Sequence, residues 1–434
     1  MKLKNRILSA VLIVITAFSL SACTLLNNPS SSSGGSGYSY LTESDVNKLI
    51  EGIEENVTVN AGDNYNININ STENKNALSA SKGLLSSVSI VANFTVTTVT
   101  PPSFFYPGST DQVKRTARGS GVIYGIDKEK GDAFIITNYH VVYSKGADTE
   151  NDISNDIKCY LYGQEYSEYA INATFIGGSM KYDIAVLKVE RSDVLRTSKA
   201  VAAEFADSNN VSILDTAIAI GNPEGLGISA TVGAVNVESE YIKMRRLDGN
   251  GDTDIRVLRI DTAVNGGNSG GGLFDDSGRV IGIVNAKITD YSVDNIAYAI
   301  PSNVAKYVAD NIIYYDSIDS SNDSVYKLLI GFDIAVKSAG VNIDEESGKI
   351  LKYEQVAVKT ITQGSACDGR LASGDIIKAV IIDGTRYEIT RSYNVIDVML
   401  TARKTSSITY VVERGGAFIN VSIDMSNTTL TEEI

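Results

Sequence analysis

The chain contains, in this order, His140, Asp183 and Ser269, whose side chains could together perform nucleophilic catalysis. His140 is the only histidine among 434 residues, and histidine is the side chain that ordinarily exchanges protons near neutral pH. A serine hydroxyl becomes a nucleophile when a base removes its proton as it attacks, and an aspartate can orient that base. Any mechanism here that needs a histidine must therefore use His140, and its partners must be placed around that residue.

Ser269 lies in a glycine-rich run that extends from Asn265 to Gly272. Glycines let the backbone turn sharply and point N–H groups at a carbonyl oxygen that becomes negative during reaction. The run also fits the nucleophile elbow of α/β-hydrolases, but that fold needs a histidine after the serine, and none follows Ser269. A phosphate-binding loop would need a lysine at its end, and the run contains none.

A second motif, from Asp248 to Asp252, looks like the start of a calcium-binding loop. Thr253 occupies the position where that loop needs glycine, and Arg259 replaces its bidentate acid. We therefore interpret the segment as an acidic surface loop.

The elements that must position these residues have the pattern of an all-β fold. From about Gly83 to Ile300, short apolar runs are separated by Gly, Asn, Asp and Ser, as in barrels and sandwiches. The predicted strands are Val88–Val91, Val122–Tyr124, Phe134–Thr137, Cys159–Tyr162, Ile184–Val189, Ala217–Ile220, Ala230–Val237, Arg256–Ile260, Val280–Val284 and Ile296–Ile300. Pro301 ends this part of the chain.

Residues beyond Pro301 indicate a helix and then a second module. Val304, Val308 and Ile312 recur at helical spacing, so residues 304–323 are predicted to be a helical linker. Residues 324–427 form the module. Its predicted features are a strand beginning at Leu328–Phe332, a strand opening at Gly374–Ile377, a hairpin turn at Asp383-Gly384, a helix over Tyr393–Arg403 and a turn at Gly415-Gly416.

The beginning of the chain carries the signals of an exported lipoprotein. A basic start precedes an apolar run from Ile7 to Leu20, which is shorter than the ~20 residues of a permanent membrane helix. The run ends in Leu20-Ser21-Ala22-Cys23, which resembles a bacterial lipobox. Residues 1–22 are therefore predicted to be a signal peptide, with Cys23 as the lipid anchor; an ordinary signal peptide is the alternative.

Two further segments precede the strand-rich region. Residues 23–39 are rich in Ser and Gly and are predicted to be a flexible linker. Residues 40–82 contain helical spacing over 41–55, and then an Asn-rich stretch with a weak strand near 65–69.

Charge and cysteine content limit the partners of the chain. The formal net charge of −14 argues against nucleic acid and against broad electrostatic binding to anionic lipid, so we expect membrane contact through the lipid anchor alone. After Cys23 only Cys159 and Cys367 remain, in different predicted domains. We therefore expect free thiols and no disulfide framework.

In order and spacing, the motifs resemble those of the HtrA/Deg group of trypsin-like serine proteases, over about residues 83–425. The segments that carry the resemblance are Gly119–Ile123, Thr137–Val142, Asp183–Val189, Ile220–Pro223, Gly267–Gly271 and Ala297–Ser302. The resemblance implies a mostly β fold, with two six-stranded barrels of the trypsin type over residues 83–303. It also implies a PDZ-like α+β domain over residues 324–427.

The resemblance assigns roles to particular residues and implies no metal and no cofactor. His140 and Asp183 would lie on the first barrel and Ser269 on the second, as a catalytic triad. The implied oxyanion hole consists of Gly267, Asn268 and Ser269. The loop that would hold the carboxylate of a C-terminal peptide consists of Leu329, Ile330, Gly331 and Phe332.

The family tends to form trimers, so a homotrimer is one expectation. The apolar run Phe104-Phe105-Tyr106 could serve such a contact or lie in a loop near the active site. Two positions also depart from the family pattern, because glycine stands at Gly266 and Gly272 where the family usually has proline. We hypothesise that the oxyanion segment is therefore less restrained, and that the resting enzyme is poorly active until ligand or substrate binds.

The leading hypothesis is a surface-anchored serine endopeptidase that degrades misfolded or exported proteins. Two alternatives stay open. One is a site-specific regulatory protease, and the other is an inactive protease fold that binds peptides through its PDZ domain.

Overall fold

The computed structural model describes residues 75–433, apart from residues 102, 106, 166, 287–295, 346–347 and 425–427. The fold is mostly β, as predicted. The helix expected over 41–55, the strand near 65–69 and the lipid-anchor residue Cys23 lie outside the described residues.

The first six strands close into a barrel in the order β1-β2-β3-β6-β5-β4. They are β1 (Ser87–Thr100), β2 (Ser109–Asp127), β3 (Asp132–Thr137), β4 (Asp156–Leu161), β5 (Ile171–Ser179) and β6 (Ile184–Val189). Val88, Ile90, Ala92 and Phe94 alternate along β1, and all four are buried in the barrel core. This period of two is what places one face of each strand inside a closed barrel.

The next six strands form a second closed barrel in the order β10-β11-β12-β9-β8-β7. They are β7 (Thr216–Gly221), β8 (Ser229–Arg245), β9 (Asp252–Ile260), β10 (Gly272–Phe274), β11 (Val280–Asn285) and β12 (Ala297–Pro301). The prediction of two six-stranded barrels is therefore confirmed. The sequence pattern missed β5, which contains a bulge between Phe175 and Gly177, and β10, which has only three residues.

Five α-helices occur in the described part of the chain. They are α1 (Lys75–Leu85), α2 (Tyr139–Val142), α3 (Asp193–Thr197), α4 (Ser302–Ile318) and α5 (Ser392–Asp397). In α4, Val304, Val308 and Ile312 are buried, as their spacing predicts, but the helix ends at Ile318 and not near residue 323.

Helix α1 crosses the predicted boundary between residues 82 and 83. Its Ser79 hydroxyl donates to the Asp275 carbonyl at 2.5 Å. A Cβ added to Gly83 would lie 2.5 Å from Ile220 Cδ1, so the helix packs closely on the second barrel at this residue. The boundary prediction is wrong here, because α1 belongs structurally with the barrels. None of the described helices has the length and apolar character needed to cross a membrane.

The C-terminal region combines a sheet with α5. The sheet runs in the order β14-β15-β16-β18-β19, with β17 beside β16, and a separate pair joins β13 to β20. The strands are β13 (Val325–Leu328), β14 (Phe332–Ile343), β15 (Ile350–Ile361), β16 (Ile376–Ile382), β17 (Thr385–Glu388), β18 (Ile408–Arg414), β19 (Ala417–Ile423) and β20 (Leu430–Glu433).

Both predicted hairpin turns in this region are confirmed. Asp383 and Gly384 have φ of 50° and 83°, and Gly415 and Gly416 have φ of 59° and 83°. Two consecutive positive φ values match the twist of the flanking strands. The helix predicted over Tyr393–Arg403 is shorter than expected, because α5 ends at Asp397 and continues only as a 3₁₀ turn to Leu400.

Ion pairs join the C-terminal region, through α5 and β15, to the second barrel. Arg256 of β9 donates to Asp397 at 2.5 Å, and the Lys352 ammonium lies 2.8 Å from the Glu238 carboxylate of β8. Charged pairs across a packed surface favour one relative orientation of the two parts.

Candidate active site

His140 follows β3 directly. Asn138 is extended, with φ −78° and ψ 147°, and α2 then turns the chain so that His140 leaves the barrel wall. The His140 side chain is 15% exposed, so its ring can be reached from solvent while most of it packs against protein.

Asp183 immediately precedes β6 and is fully buried. Its φ of 48° is uncommon outside glycine, although aspartate tolerates it better than most residues. Its Oδ2 lies 2.7 Å from His140 Nδ1, and its Oδ1 accepts from the His140 backbone N–H at 3.0 Å. Because an ionised carboxylate only accepts, Nδ1 carries the proton and Nε2 is left as the base.

Asn285 is a functional candidate that the sequence analysis missed. It ends β11 on the second barrel, is fully buried, and donates its amide to Asp183 Oδ2 at 2.7 Å. Asn138 adds a bond from its amide to the Asp183 carbonyl at 2.9 Å. The sequence signal for Asn285 is its place directly after the apolar run Val280–Val284. A polar side chain there is expected to be buried, and a buried amide needs hydrogen-bond partners.

Ser269 lies in the loop before β10 and is buried. Its Oγ accepts from the Ala286 N–H at 3.2 Å. No hydrogen bond joins Ser269 Oγ to His140 within the described part of the chain. The consecutive residues Asn285 and Ala286 nevertheless contact Asp183 and Ser269 respectively, so β11 connects the two halves of the predicted triad.

The backbone N–H groups on either side of Asn268 are the candidate oxyanion donors of the loop around Ser269. Gly267 has φ 97°, and neither its N–H nor that of Ser269 is hydrogen-bonded to a described acceptor. The N–H of Asn268 differs from the prediction, because it donates to the Asn265 carbonyl at 3.1 Å and closes a turn. The prediction that Asn268 supplies an oxyanion donor is therefore wrong, whereas Gly267 and Ser269 retain donors that could stabilise an oxyanion.

The segment that looked like a calcium loop is the turn of the β8–β9 hairpin. The Asp248 carboxylate is paired with Arg246 at 2.9 Å. The hydrogen bond from Arg246, together with the Asn250 N–H, lowers the pKa of Asp248 to about 2. A carboxylate already paired in this way is a weak candidate for a metal ligand.

The loop predicted to hold a peptide carboxylate lies between β13 and β14. The N–H groups of Ile330 and Gly331 are bonded to no described acceptor, and Gly331 has φ 74°. Leu329 differs from the prediction, because its N–H donates to the Thr429 carbonyl at 3.3 Å. Phe332 begins β14, which is an edge strand of the sheet.

Comparisons with known proteins match the part of the chain that contains this site. Residues 119–283 match the family model of the trypsin-like peptidase domain. The "Serine protease Do-like HtrA" of Bacillus subtilis is 36% identical over 220 residues, which cover 50% of this chain and 44% of that protein. The protein of the same name from Lactococcus lactis subsp. cremoris is 32% identical over 281 residues, 62% of this chain and 63% of that protein.

A third relative is the "Probable periplasmic serine endoprotease DegP-like" of Brucella suis. It is 34% identical over 265 residues, which cover 61% of this chain and 44% of that protein. The chain thus spans between 44% and 63% of the length of these three relatives. Over residues 119–283 the chain matches a trypsin-like peptidase domain, and it is similar in sequence to HtrA-type serine proteases.

Proposed function

We propose that the chain is a serine endopeptidase that works through an acyl-enzyme. The observation that supports this most is the buried Asp183 carboxylate 2.7 Å from His140 Nδ1, which leaves Nε2 as a base facing away from Asp183. Ser269 is the nucleophile, and it must turn from its contact with the Ala286 N–H toward His140 before it attacks.

The chemistry then follows from the residues present. His140 Nε2 accepts the proton of Ser269 Oγ while Oγ bonds to the substrate carbonyl carbon, and the N–H groups of Gly267 and Ser269 stabilise the oxyanion. His140 returns that proton to the leaving amine as the peptide bond breaks. A water then repeats the sequence on the acyl-enzyme and releases Ser269. Asp183 and Asn285 hold the imidazole orientation and stabilise its charged form.

A fluorophosphonate probe tests this assignment. The intact chain should be labelled on Ser269, and Ser269→Ala should abolish labelling at an unchanged melting temperature. Ser302→Ala is a matched control, because Ser302 is a fully buried serine away from the site. Absence of labelling in the folded wild-type chain would favour the alternative of an inactive, peptide-binding protease fold.

We further propose unfolded or exported proteins as substrates, in an extracytoplasmic location. The name of the Brucella relative describes a periplasmic enzyme, and the first 23 residues have the pattern of a lipoprotein export signal. Digestion of reduced casein would support general degradation, whereas cleavage of a single partner at one bond would favour the regulatory protease. A Cys23→Ser chain should lose its partition into detergent if Cys23 carries lipid.

We also propose that the C-terminal region binds the free C-terminus of a peptide, as a PDZ domain does. Two backbone donors at Ile330 and Gly331 lie next to the edge strand β14, which can accept an added strand. Calorimetry with a hydrophobic peptide should show binding that is lost when its C-terminal carboxylate is amidated. Equal binding of both peptides would contradict the proposal.

A trimer is the assembly we propose, with the β1–β2 hairpin as its contact. Phe104 and Phe105 are 97% and 83% exposed at the tip of this hairpin, and exposed aromatic pairs of this kind commonly mark contacts. Sedimentation should show three copies for the wild-type chain and fewer for the Phe104→Ser, Phe105→Ser double variant. A monomeric wild-type chain would contradict the proposal.

A further inference from the structure

Ser120 lies on β2 of the first barrel and contacts the nucleophile loop of the second. It is fully buried. Its hydroxyl donates to the Gly267 carbonyl at 2.7 Å, and its backbone N–H donates to the Ser269 carbonyl at 2.8 Å. Ser120 therefore forms a hydrogen bond to each of Gly267 and Ser269, the two residues whose N–H groups are the candidate oxyanion donors.

The direction of the Ser120 hydroxyl proton follows from its other contact. Ser120 Oγ accepts the N–H of Asn222 at 2.8 Å. A hydroxyl has one proton to donate, and the Asn222 N–H occupies an acceptor position, so the proton points at the Gly267 carbonyl. This carbonyl is thereby fixed on the buried side of the loop.

The loop has few restraints of its own. Gly266 and Gly267 precede Asn268, and the bonds within the turn are Asn268 N–H to the Asn265 carbonyl and Gly271 N–H to the Asn268 carbonyl. Glycine adopts many backbone conformations at similar free energy, so such a loop needs external contacts to keep one of them. Ser120 provides two such contacts.

The glycines after Ser269 let the loop approach Ser120 closely. A Cβ added to Gly270 would lie 2.2 Å from the Ser120 carbonyl, and Gly270 has φ 84°. A Cβ added to Gly271 would lie 3.2 Å from Ser120 Cβ and 2.2 Å from the Ile220 carbonyl. The glycine pattern is therefore matched to the surface on which the loop packs.

We propose that Ser120 is a positioning residue that holds the oxyanion hole open from the opposite barrel. The inference rests on the proposed peptidase function. Ser120 does not touch the reacting atoms. It acts by keeping the Gly267 carbonyl pointed inward, which keeps the backbone of the loop in the conformation with the Gly267 and Ser269 N–H groups unpaired.

The experiment compares Ser120→Ala with the wild-type chain on labelled casein and on a fluorophosphonate. Oxyanion stabilisation acts in the transition state, so kcat and the rate constant of Ser269 labelling should both fall roughly 10- to 100-fold. The KM for casein should stay within about twofold, because substrate binding does not use this contact.

Two further variants distinguish positioning from a general loss of stability. Ser302→Ala removes a hydroxyl that donates to the Ala206 carbonyl at the same 2.7 Å in an equally buried site. It should keep wild-type kcat even if its melting temperature falls. Ser120→Cys keeps the shape with a weaker donor, so its kcat should lie between those of wild type and Ser120→Ala, and it replaces the alanine variant if that variant does not fold.

The outcomes separate this inference from the proposed function. If the wild-type chain is labelled and Ser269→Ala is not, the peptidase assignment stands whatever Ser120→Ala does. A folded Ser120→Ala with kcat and labelling rate within twofold of wild type would overturn the positioning role. A KM increase that accounts for the whole loss of kcat/KM would also overturn the positioning role. So would a loss of kcat in Ser302→Ala equal to that in Ser120→Ala. An unlabelled wild-type chain would overturn both the proposed function and this role.

Discussion

The side-chain amide of Asn285, at the end of β11, donates to Oδ2 of Asp183, the same oxygen that lies 2.7 Å from His140 Nδ1. Asn285 and Asp183 belong to different barrels and are both fully buried. A buried carboxylate needs its lone pairs satisfied, so this bond both stabilises the charge of Asp183 and couples the second barrel to the orientation of His140.

Asn285→Ala should therefore lower kcat by about 10-fold with little change in KM, because His140 loses a rigidly held partner. The unfolding free energy should fall by ~1.5–3 kcal/mol, because one of the hydrogen bonds to a buried carboxylate is lost. Asn311→Ala is the matched control: Asn311 is also fully buried, and its amide donates to the Tyr326 and Leu400 carbonyls far from the site. Peptide hydrolysis and urea unfolding measure the two effects; an equal loss of kcat in both variants would contradict a role specific to Asn285.

The two glycines that replace family prolines should respond differently to proline. A Cβ at Gly266 would meet nothing within 4 Å, and the Gly266 N–H donates to no described acceptor. A Cβ at Gly272 would lie 2.4 Å from the Phe274 ring, and Gly272 pairs with Ile220 and Ile283 within the sheet. Gly266→Pro should thus be tolerated, whereas Gly272→Pro should be strongly destabilised.

Gly266→Pro also tests whether the resting loop fluctuates between active and inactive conformations. Proline restricts alternative conformations by ~0.4–1 kcal/mol, so basal hydrolysis should rise by roughly two- to fivefold if such a fluctuation limits activity. The measurement is the initial rate on casein without added peptide. An unchanged rate in a folded Gly266→Pro would argue that the hole is already formed, as the free N–H groups of Gly267 and Ser269 suggest.

The junction between the second barrel and the C-terminal sheet should weaken at acidic pH. Burial alone would raise the pKa of Glu238, but Lys352 at 2.8 Å and Arg391 at 3.6 Å outweigh it and hold that pKa below its usual range. Burial would also raise the pKa of Glu354, but the interactions of its carboxylate with Ser392 and Arg391 outweigh burial and lower that pKa. A carboxylate with a lowered folded pKa adds stability above its unfolded pKa, and this stability is lost as pH falls through the folded value.

The unfolding free energy should therefore decrease below the ordinary glutamate pKa of 4.5. Glu238→Gln should make that decrease smaller, since an amide does not titrate. Glu190→Gln is the control, because Glu190 is an exposed partner of Lys188. Thermal unfolding of the three proteins should be measured in steps from pH 7 to pH 3. If stability falls with pH equally in Glu238→Gln and wild type, Glu238 does not cause the acid-induced loss.

The thiols of Cys159 and Cys367 should resist alkylation in the folded chain. Burial raises the pKa of Cys159 to about 12 and that of Cys367 to about 11, and only the thiolate reacts. Iodoacetamide at pH 8 should leave both unmodified until urea unfolds the chain, after which both react. Mass spectrometry of the two peptides measures this, and rapid native labelling of either residue would show that its site opens.

The sequence by itself determined much of the architecture. Apolar alternation and turn residues located ten of the twelve barrel strands, because a strand with one buried face must repeat every two residues. It missed β5, where a bulge interrupts the period, and β10, which is too short to show one. The single histidine made His140 the candidate base before any geometry was known, because the sequence offers no second imidazole.

Only the tertiary structure decided which groups are available to the chemistry. A backbone N–H has no sequence signature, so the pairing of Asn268 with Asn265 and of Leu329 with Thr429 could not be read from the residue types. Asn285 and Ser120 are ordinary polar residues at the ends or interiors of strands until the two barrels meet. Asn285 contacts Asp183, which is 102 positions away, and Ser120 contacts Gly267, which is 147 positions away. Both contacts form only because the two barrels pack against each other.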